Sequence, residues 1–486
     1  MHFSKVVSFL LLVMFCGVFL TIEGSMNKSV MTAFFFVLGV IITTFFFFRR
    51  ERAEHLRSQP VKHSTLFLLG FLIVHFQYYL DYILGFTNEA NYKIWYNHFF
   101  VIKSFALSIA GLLAFVLGYD MYKYKLSAYV RPRSETQLST FILQIFSLVF
   151  LLLFYASVDP RYLTGHYGNV ELSPTAVYAQ FGFQVCVFAT IIQNSRNTYF
   201  NRSNSFLKNY TFRNYIKDQG LFFSGIISIY LLSVMLSGDR GPLMTMALCY
   251  ISGFLFITKY KVAKLPLFLV FFFGAFFISL LGQVRLMNKN ISFTDRIIMA
   301  YKGDNTTHGN GDDSISPQTK ELAGSVKTVH MAVSYVPDKH NYLFGRFQLQ
   351  QILGIIPFGT MFKESLFEDN SYKYIGSAQF ITWIDQGDSR FYGLGTSCIA
   401  DFYMDLGLVG VVLGMFLFGY FIRFCELSFY TYDYLSISAH VFSVVYLAFS
   451  IYISRSTVLF NLKLCAFIII VLFFNKYIIN KSRIKS

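Results

Sequence analysis

The residues best placed to do chemistry in this 486-residue chain are charged groups that interrupt apolar sequence. The bend SGDRGP, residues 237–242, sets Asp239 and Arg240 between the apolar runs 221–236 and 242–258. A charge at membrane depth is expensive and marks a functional candidate by default. A guanidinium keeps its charge and offers paired N–H donors to phosphate oxygens, while Gly238 and Gly241 allow a close approach to the backbone. Arg285, ending the run 266–284, and Arg390, in DQGDSRFYGLG (385–395), are further guanidinium candidates. Each has a plainer reading: Arg240 paired with Asp239, Arg285 as an interfacial anchor, and Arg390 bridged to Asp385 or Asp388. Lys327, His330 and Ser334 recur at spacings of three and four, which is one face of a helix. His330 suits a general base or a hydrogen-bond donor, although a lone helical His is more often structural. Asp401 and Asp405 stand four apart in ADFYMDLG, with Tyr403 between them. Carboxylates and a phenol suit sugar hydroxyls, or a structural pairing with Arg240 or Arg285. The 383–392 stretch adds aromatic surface for stacking sugars.

The elements that must position these groups are membrane helices. The chain is 55% hydrophobic and 14% charged, and apolar runs of about 20 residues, enough to cross roughly 30 Å of hydrocarbon, recur from end to end. Twelve can be placed: 5–22, 30–48, 65–84, 100–119, 138–157, 176–193, 221–236, 242–258, 266–284, 404–422, 436–452 and 461–478. The expected fold is all-α and polytopic. Nine spans fall in 1–284, one large outer loop in 285–403, and three spans in 404–486, within a single membrane domain.

The net charge of +15 is an orientation signal and does not point to nucleic acid. Lys and Arg crowd 49–62, 122–133, 196–217, 259–264 and 475–486, whereas the short connections opposite hold only Lys28, Lys93, Arg161, Arg240 and Arg455. Basic residues concentrate on the cytoplasmic side, so both termini read as cytoplasmic and the large loop as periplasmic. The first run lacks a small-x-small cleavage site and reads as a retained span. The six cysteines (16, 186, 249, 398, 425, 465) show no paired spacing and read as apolar packing residues.

Within the loop, 301–317 is rich in Gly, Asn and Asp, and Ser316-Pro317 reads as a helix start. Leu322, Val326, Val329, Val333 and Val336 then trace one apolar helical face. FQLQQILGIIPFGTMF (347–362) is apolar but too short and broken to span, and reads as a helix or re-entrant piece at the membrane surface. No internal repeat of the transporter kind is present, and no Walker loop, Rossmann fingerprint or zinc spacing; neither metal nor cofactor is indicated.

Three stretches carry a resemblance: GLGTSCIADFYMDLGLVGVVLGMFLFG (393–419), SGDRGPL (237–243), and TVHMAVSYVPDKHNYLFG (328–345) followed by GIIPF. In order and topology they resemble the Wzy-type oligosaccharide repeat-unit polymerases, relatives of the O-antigen ligases. One departure is that no Arg is followed eleven positions later by Gly, a spacing that marks some members. The resemblance implies a glycosyltransferase of GT-C-like membrane architecture that joins undecaprenyl-pyrophosphate-linked oligosaccharides at the periplasmic face of the bacterial inner membrane. It implies catalytic or diphosphate-binding duty for His330, Arg240 and Arg285. Substrate contacts fall to Arg390, Asp239, Lys327, Asp401 and Tyr403. Membrane lipid and a chain-length regulator protein are the further partners. An O-antigen ligase is the nearest alternative and a lipid-linked oligosaccharide flippase the alternative of another class; a flippase predicts two similar halves.

The charge alternation makes a direct prediction. Reporter fusions after Gly241 and within 303–315 are expected to read out on the outer side, and fusions after Lys264 in the cytoplasm. A cytoplasmic readout from 303–315 reverses the orientation.

Overall fold

A chain that crosses hydrocarbon must satisfy its backbone polar groups internally. Among the described residues this one does so with helices alone. The computed structural model describes residues 2–45, 61–92, 94–122, 139–163, 172–202, 206–207, 209–237, 239–258, 284, 295–296, 298–299, 319–356, 359–367, 369, 371–389, 392–431 and 437–484. In chain order the helices are α1 (His2–Thr21), α2 (Lys28–Thr43), α3 (His63–Leu84), α4 (His98–Met121), α5 (Phe141–Ser157), α6 (Pro160–Leu163), α7 (Pro174–Asn201), α8 (Phe212–Gln219), α9 (Leu221–Ser237) and α10 (Arg240–Thr258). After them come α11 (Lys320–Ala323), α12 (Val326–Tyr335), α13 (Arg346–Leu353), α14 (Gly359–Leu366), α15 (Ser377–Gln386), α16 (Cys398–Thr431), α17 (Ile437–Ile453) and α18 (Leu462–Ile484).

The described parts of the other expected apolar runs are essentially helical, whereas 266–283 lies outside the described residues, as does the expected helix start at 316–317. Among the described residues five helices are long and apolar enough to cross a membrane: α3, α4, α7, α10 and α16; α8 and α9, bent by 98° at Gly220, pass the same test together. The face running from Leu322 to Val336 is divided between α11 and α12 by a turn at Gly324. Within the apolar stretch 347–362 the described residues include most of α13 and the start of α14. The cysteines are free, and all but Cys16 are buried.

At the centre, α4 and α16 touch backbone to backbone. A Cβ on Gly118 would sit 1.9 Å from the Phe416 carbonyl oxygen, and one on Gly419 would sit 2.0 Å from that of Phe115. Small residues of this kind let membrane helices approach closely. At one end of this pair the buried Glu426 ties three helices together. It accepts from Tyr119 Oη at 2.5 Å and from Ser64 N and Oγ at 3.2 and 2.8 Å, with Arg423 Nη1 at 3.5 Å.

At the other end the loop segment is stitched into α16. That helix begins at Cys398, inside the expected loop, and its backbone leaves helical geometry at Leu406 and at Gly407, where φ is 61°. The carbonyls of Met404 and Asp405 accept from the amides of Leu343 (3.0 Å) and Phe344 (2.8 Å). The Asp405 carboxylate then takes Phe347 N at 3.2 Å and Gln348 N at 3.0 Å, capping α13 from a different helix. Gly407 is required twice over, by its positive φ and by the Tyr342 ring 2.9 Å from where a Cβ would stand.

The bend at Asp239 points the same way. Phe256, late in α10, stacks on His440, early in α17, at 3.7 Å. The start of α10 therefore lies toward Ile453, and the turn after Ile453 meets the loop through Thr457 and Gln351.

Two substitutions test the stitch. Gly407→Ala is expected to cost about 1–3 kcal/mol through backbone strain and the Tyr342 clash. Asp405→Ala is expected to cost about 1–2 kcal/mol through loss of the cap. Both are read as a lower melting temperature in detergent and as new protease cleavage between 340 and 353. Unchanged melting and cleavage would show that the stitch carries no stability.

Candidate functional site

Helix α12 brings Lys327 and His330 to the loop end, and protein surrounds it. Val326, Val329 and Val333 are buried on the expected face, and Thr328, His330, Met331 and Ala332 are buried around the rest. The apolar stripe in the sequence marks only half of what packs. His330 is fully enclosed. Its Nδ1 lies 3.1 Å from the Ile94 carbonyl oxygen and its Nε2 2.8 Å from Tyr79 Oη. A carbonyl only accepts, so Nδ1 carries the proton and Nε2 accepts from the tyrosine hydroxyl. Burial pushes the pKa of the ring down to about 4, with a further push from His98. A neutral ring with both nitrogens engaged holds α12 against α3 and the turn before α4. In this conformation the geometry gives His330 a positioning task.

Lys327 is partly buried. Its Nζ lies 2.8 Å from Asp385 Oδ1, with the two side chains 14% and 12% exposed. The other Asp385 oxygen accepts from Tyr392 Oη at 3.1 Å, and the Tyr96 ring centroid stands 6.0 Å from the ammonium. The α15 residue Trp383 packs on α12 as well, its ring 5.8 Å from that of Tyr335. Fixed charges among aromatic faces are a common lining of ligand sites. Sequence spacing missed Tyr96 and paired Asp385 with Arg390. Arg390 lies outside the described residues, and Asp385 is committed to Lys327 and Tyr392.

The acidic stretch of α16 faces inward. Tyr403 Oη donates to the Val336 carbonyl at 3.1 Å. Asp401 is fully buried; its Oδ2 accepts from Gln348 Nε2 at 2.7 Å, and its Oδ1 has no hydrogen-bond partner among the described residues. Both oxygens of Asp405 are taken by the α13 amides. These three residues hold the loop in register on α16.

At the bend, Asp239 caps α10. Its Oδ1 accepts from Gly241 N at 3.3 Å and its Oδ2 from Tyr162 Oη at 3.0 Å, while its own amide donates to Ser237 Oγ at 3.2 Å. An Asp is therefore wanted at this bend for helix capping. Arg240 opens α10 as its first residue. Its side chain lies outside the described residues, as does the whole of Arg285. The structure thus puts the bend and the Lys327 patch at the same end of the bundle, with His330, Tyr403, Asp401 and Asp405 beneath the patch as interior struts.

His330 carries a pH signature. Its folded pKa is depressed, so its contribution to stability is full above the unfolded value of about 6.5 and is lost as pH falls toward 4, on the order of 3 kcal/mol in total. His330→Ala is expected to lower the melting temperature at pH 7.5 and to flatten its slope between pH 6.5 and 4. An unchanged slope would show that the ring is not buried neutral.

A family model described as O-antigen polysaccharide polymerase Wzy matches residues 2–483 of this sequence. The chain belongs to that family. No curated protein and no solved structure gives a match.

Proposed function

We propose that this member of the Wzy family joins undecaprenyl-diphosphate-linked oligosaccharide repeat units into O-antigen or a related surface polysaccharide. The setting is the periplasmic face of the bacterial inner membrane, with twelve spans in a GT-C-like arrangement, the termini in the cytoplasm and a chain-length regulator as protein partner. In the reaction an acceptor hydroxyl oxygen bonds to the anomeric carbon of the donor. The bond from that carbon to the diphosphate breaks, its electron pair leaves with the diphosphate, and the hydroxyl proton passes to a base. The chain's tasks are to hold two sugars in line and to stabilise negative charge on the departing group.

Arg240 is assigned the departing diphosphate, with Arg285 and Arg390 as the further guanidinium candidates. The patch of Lys327, Asp385, Tyr392 and Tyr96 is assigned to sugar. His330, Tyr403, Asp401 and Asp405 act through position, and Asp239 presents Arg240 by capping α10. One observation supports this reading above the others. The helix start bearing Arg240 and the described residues of 319–392 share one end of the bundle, where a carrier lying along the spans presents its charged head.

The test is the lipopolysaccharide ladder. Deletion of the gene is expected to leave single repeat units on the core; loss of every repeat points to a ligase, and an intact ladder defeats both readings. Arg240→Lys separates a clamp from an anchor. An interfacial anchor tolerates Lys, which snorkels as well, whereas an ammonium cannot reproduce a bidentate fork. Losing one such contact in the transition state costs about 2–4 kcal/mol, or roughly 30- to 1000-fold in rate. Arg240→Lys and Arg240→Ala are both expected to collapse the ladder toward single units at normal membrane abundance. Full-length polymer from Arg240→Lys transfers the diphosphate role to Arg285 or Arg390.

A further inference from the structure

The end of the bundle opposite Asp239 holds a polar cavity that the proposed reaction does not use. It lies between the last turns of α7 and the short helix α8. Its volume is about 310 Å³, and Asn194, Asn197, Thr198, Asn201, Arg202 and Asp218 line it. Its depth follows from the elbow at Gly220. The apolar α9 carries no charged residue, whereas α8, FRNYIKDQ, is polar and turns away from it by 98°. With α9 crossing the bilayer, α8 lies nearly in the membrane plane, as an amphipathic helix does at an interface. Tyr215 of α8 is buried and donates to the Tyr250 carbonyl of α10 at 2.8 Å, which holds α8 to the bundle. The cavity is therefore at headgroup level. Leu221 and Phe222, the first residues of α9, are exposed on the hydrocarbon side of the elbow.

The lining carries one charge of each sign. Arg202 Nη2 stands 3.6 Å from Asp218 Oδ1, with the two side chains 52% and 21% exposed. That separation is too long for a hydrogen bond, and at such exposure the pair is weak. The groups around it are braced from behind. Asp218 Oδ2 accepts from Tyr210 Oη at 2.9 Å and from Thr198 Oγ1 at 3.4 Å. Asn194, which is buried, accepts from Thr140 Oγ1 at 2.9 Å and donates to Gln219 Oε1 at 3.1 Å. Gln193 Nε2 donates to Asn197 Oδ1 at 3.0 Å. A ligand with an anion and a primary ammonium a few atoms apart exchanges the one long pair for two short ones. Its anionic oxygens take the guanidinium of Arg202, and its N–H groups take Asp218 Oδ1. A purely anionic ligand meets the Asp218 carboxylate at close range, and a purely cationic one meets Arg202.

We infer that the cavity between α7 and α8 binds the phosphoethanolamine head of a membrane phospholipid, its phosphate on Arg202 and its ammonium on Asp218. The acyl chains leave past Leu221 and Phe222 and run along α9. This site stands at the other end of the bundle from Arg240 and the Lys327 patch and is independent of the polymerase reading. A head seated there wedges the elbow from which α9 sets out toward the bend at Asp239.

The test uses the full chain in nanodiscs of equal parts dioleoyl-phosphatidylethanolamine, dioleoyl-phosphatidylcholine and dioleoyl-phosphatidylglycerol. Lipid retained on the protein after release into detergent is counted by native mass spectrometry. The wild type is expected to retain phosphatidylethanolamine with about 10-fold preference over phosphatidylcholine, whose quaternary ammonium has no N–H to donate. Asp218→Asn keeps an acceptor for Tyr210 and Thr198 but removes the charge, and is expected to abolish that preference. Arg202→Gln, at a half-exposed position, is the arm least exposed to misfolding and is expected to lower retention of both zwitterionic lipids. Equal retention of the two by the wild type overturns the inference, as does a preference that survives in Asp218→Asn or retention that is unchanged in Arg202→Gln. Phosphatidylglycerol as the favoured lipid marks a simple anion site and overturns it too. Free O-phosphoethanolamine, added in molar equivalence to the lipid, is expected to displace none of it; displacement assigns the cavity to a soluble ligand and rules the lipid out.

Discussion

Away from water, a helix that breaks must find partners for the backbone groups it releases, and α16 breaks at Leu406 and Gly407. The segment 343–348 supplies those partners. Two of its amides take the carbonyls of Met404 and Asp405, and two more take the Asp405 carboxylate. Much of the loop end follows from that arrangement. It sets where α13 starts and therefore where Arg346 stands. Tyr342 lies over Gly407, which has no side chain to obstruct it, and Tyr403 reaches back to Val336, 67 residues earlier in the chain. The loop is thereby registered on α16 by hydrogen bonds as well as by apolar packing.

The interior beneath that junction is rigid for a second reason. The glycine contacts of α4 and α16 allow no room for side-chain rearrangement between the two backbones, and Glu426 ties the far end of the same pair to α3. A buried carboxylate without such partners would destabilise the bundle by several kcal/mol. His330 does the matching work near the loop, where Tyr79 stacks on Phe105 at 4.2 Å and the imidazole links that layer to the Ile94 carbonyl. Polymerising bulky oligosaccharide repeat units depends on geometry held to fractions of an ångström, and groups are held that well when their support is packed and hydrogen-bonded.

The polar residues therefore divide by environment. His330, Tyr403, Asp405 and Asp239 have their polar side-chain atoms engaged by the protein, and each satisfies a helix end, a carbonyl or a neighbouring hydroxyl. Lys327 and Asp385 are less enclosed, with side chains 14% and 12% exposed, and Tyr392 beside them is exposed. Residue types that suit catalysis also suit capping and bracing, because both tasks need a donor or acceptor held at a defined point.

The sequence by itself determined the helix positions, because burying some twenty apolar residues is a local property that any window of the chain reveals. It also identified the family, whose motifs are runs of adjacent residues. It marked Asp239, His330, Asp401 and Asp405 as unusual, but spacing along one helix could not say what stands opposite. Asp405 meets amides on a helix that begins at Arg346, and His330 meets a tyrosine on α3, hundreds of residues away in the chain. The bend at Asp239 shows the limit plainly: its charge was legible, whereas the role of that charge as a cap bonded to Tyr162 appears only when α6 is packed beside it. Burial all round α12 and the break in α16 were likewise decided in tertiary structure, since each depends on which helices become neighbours, and distances through space are not written in distances along the chain.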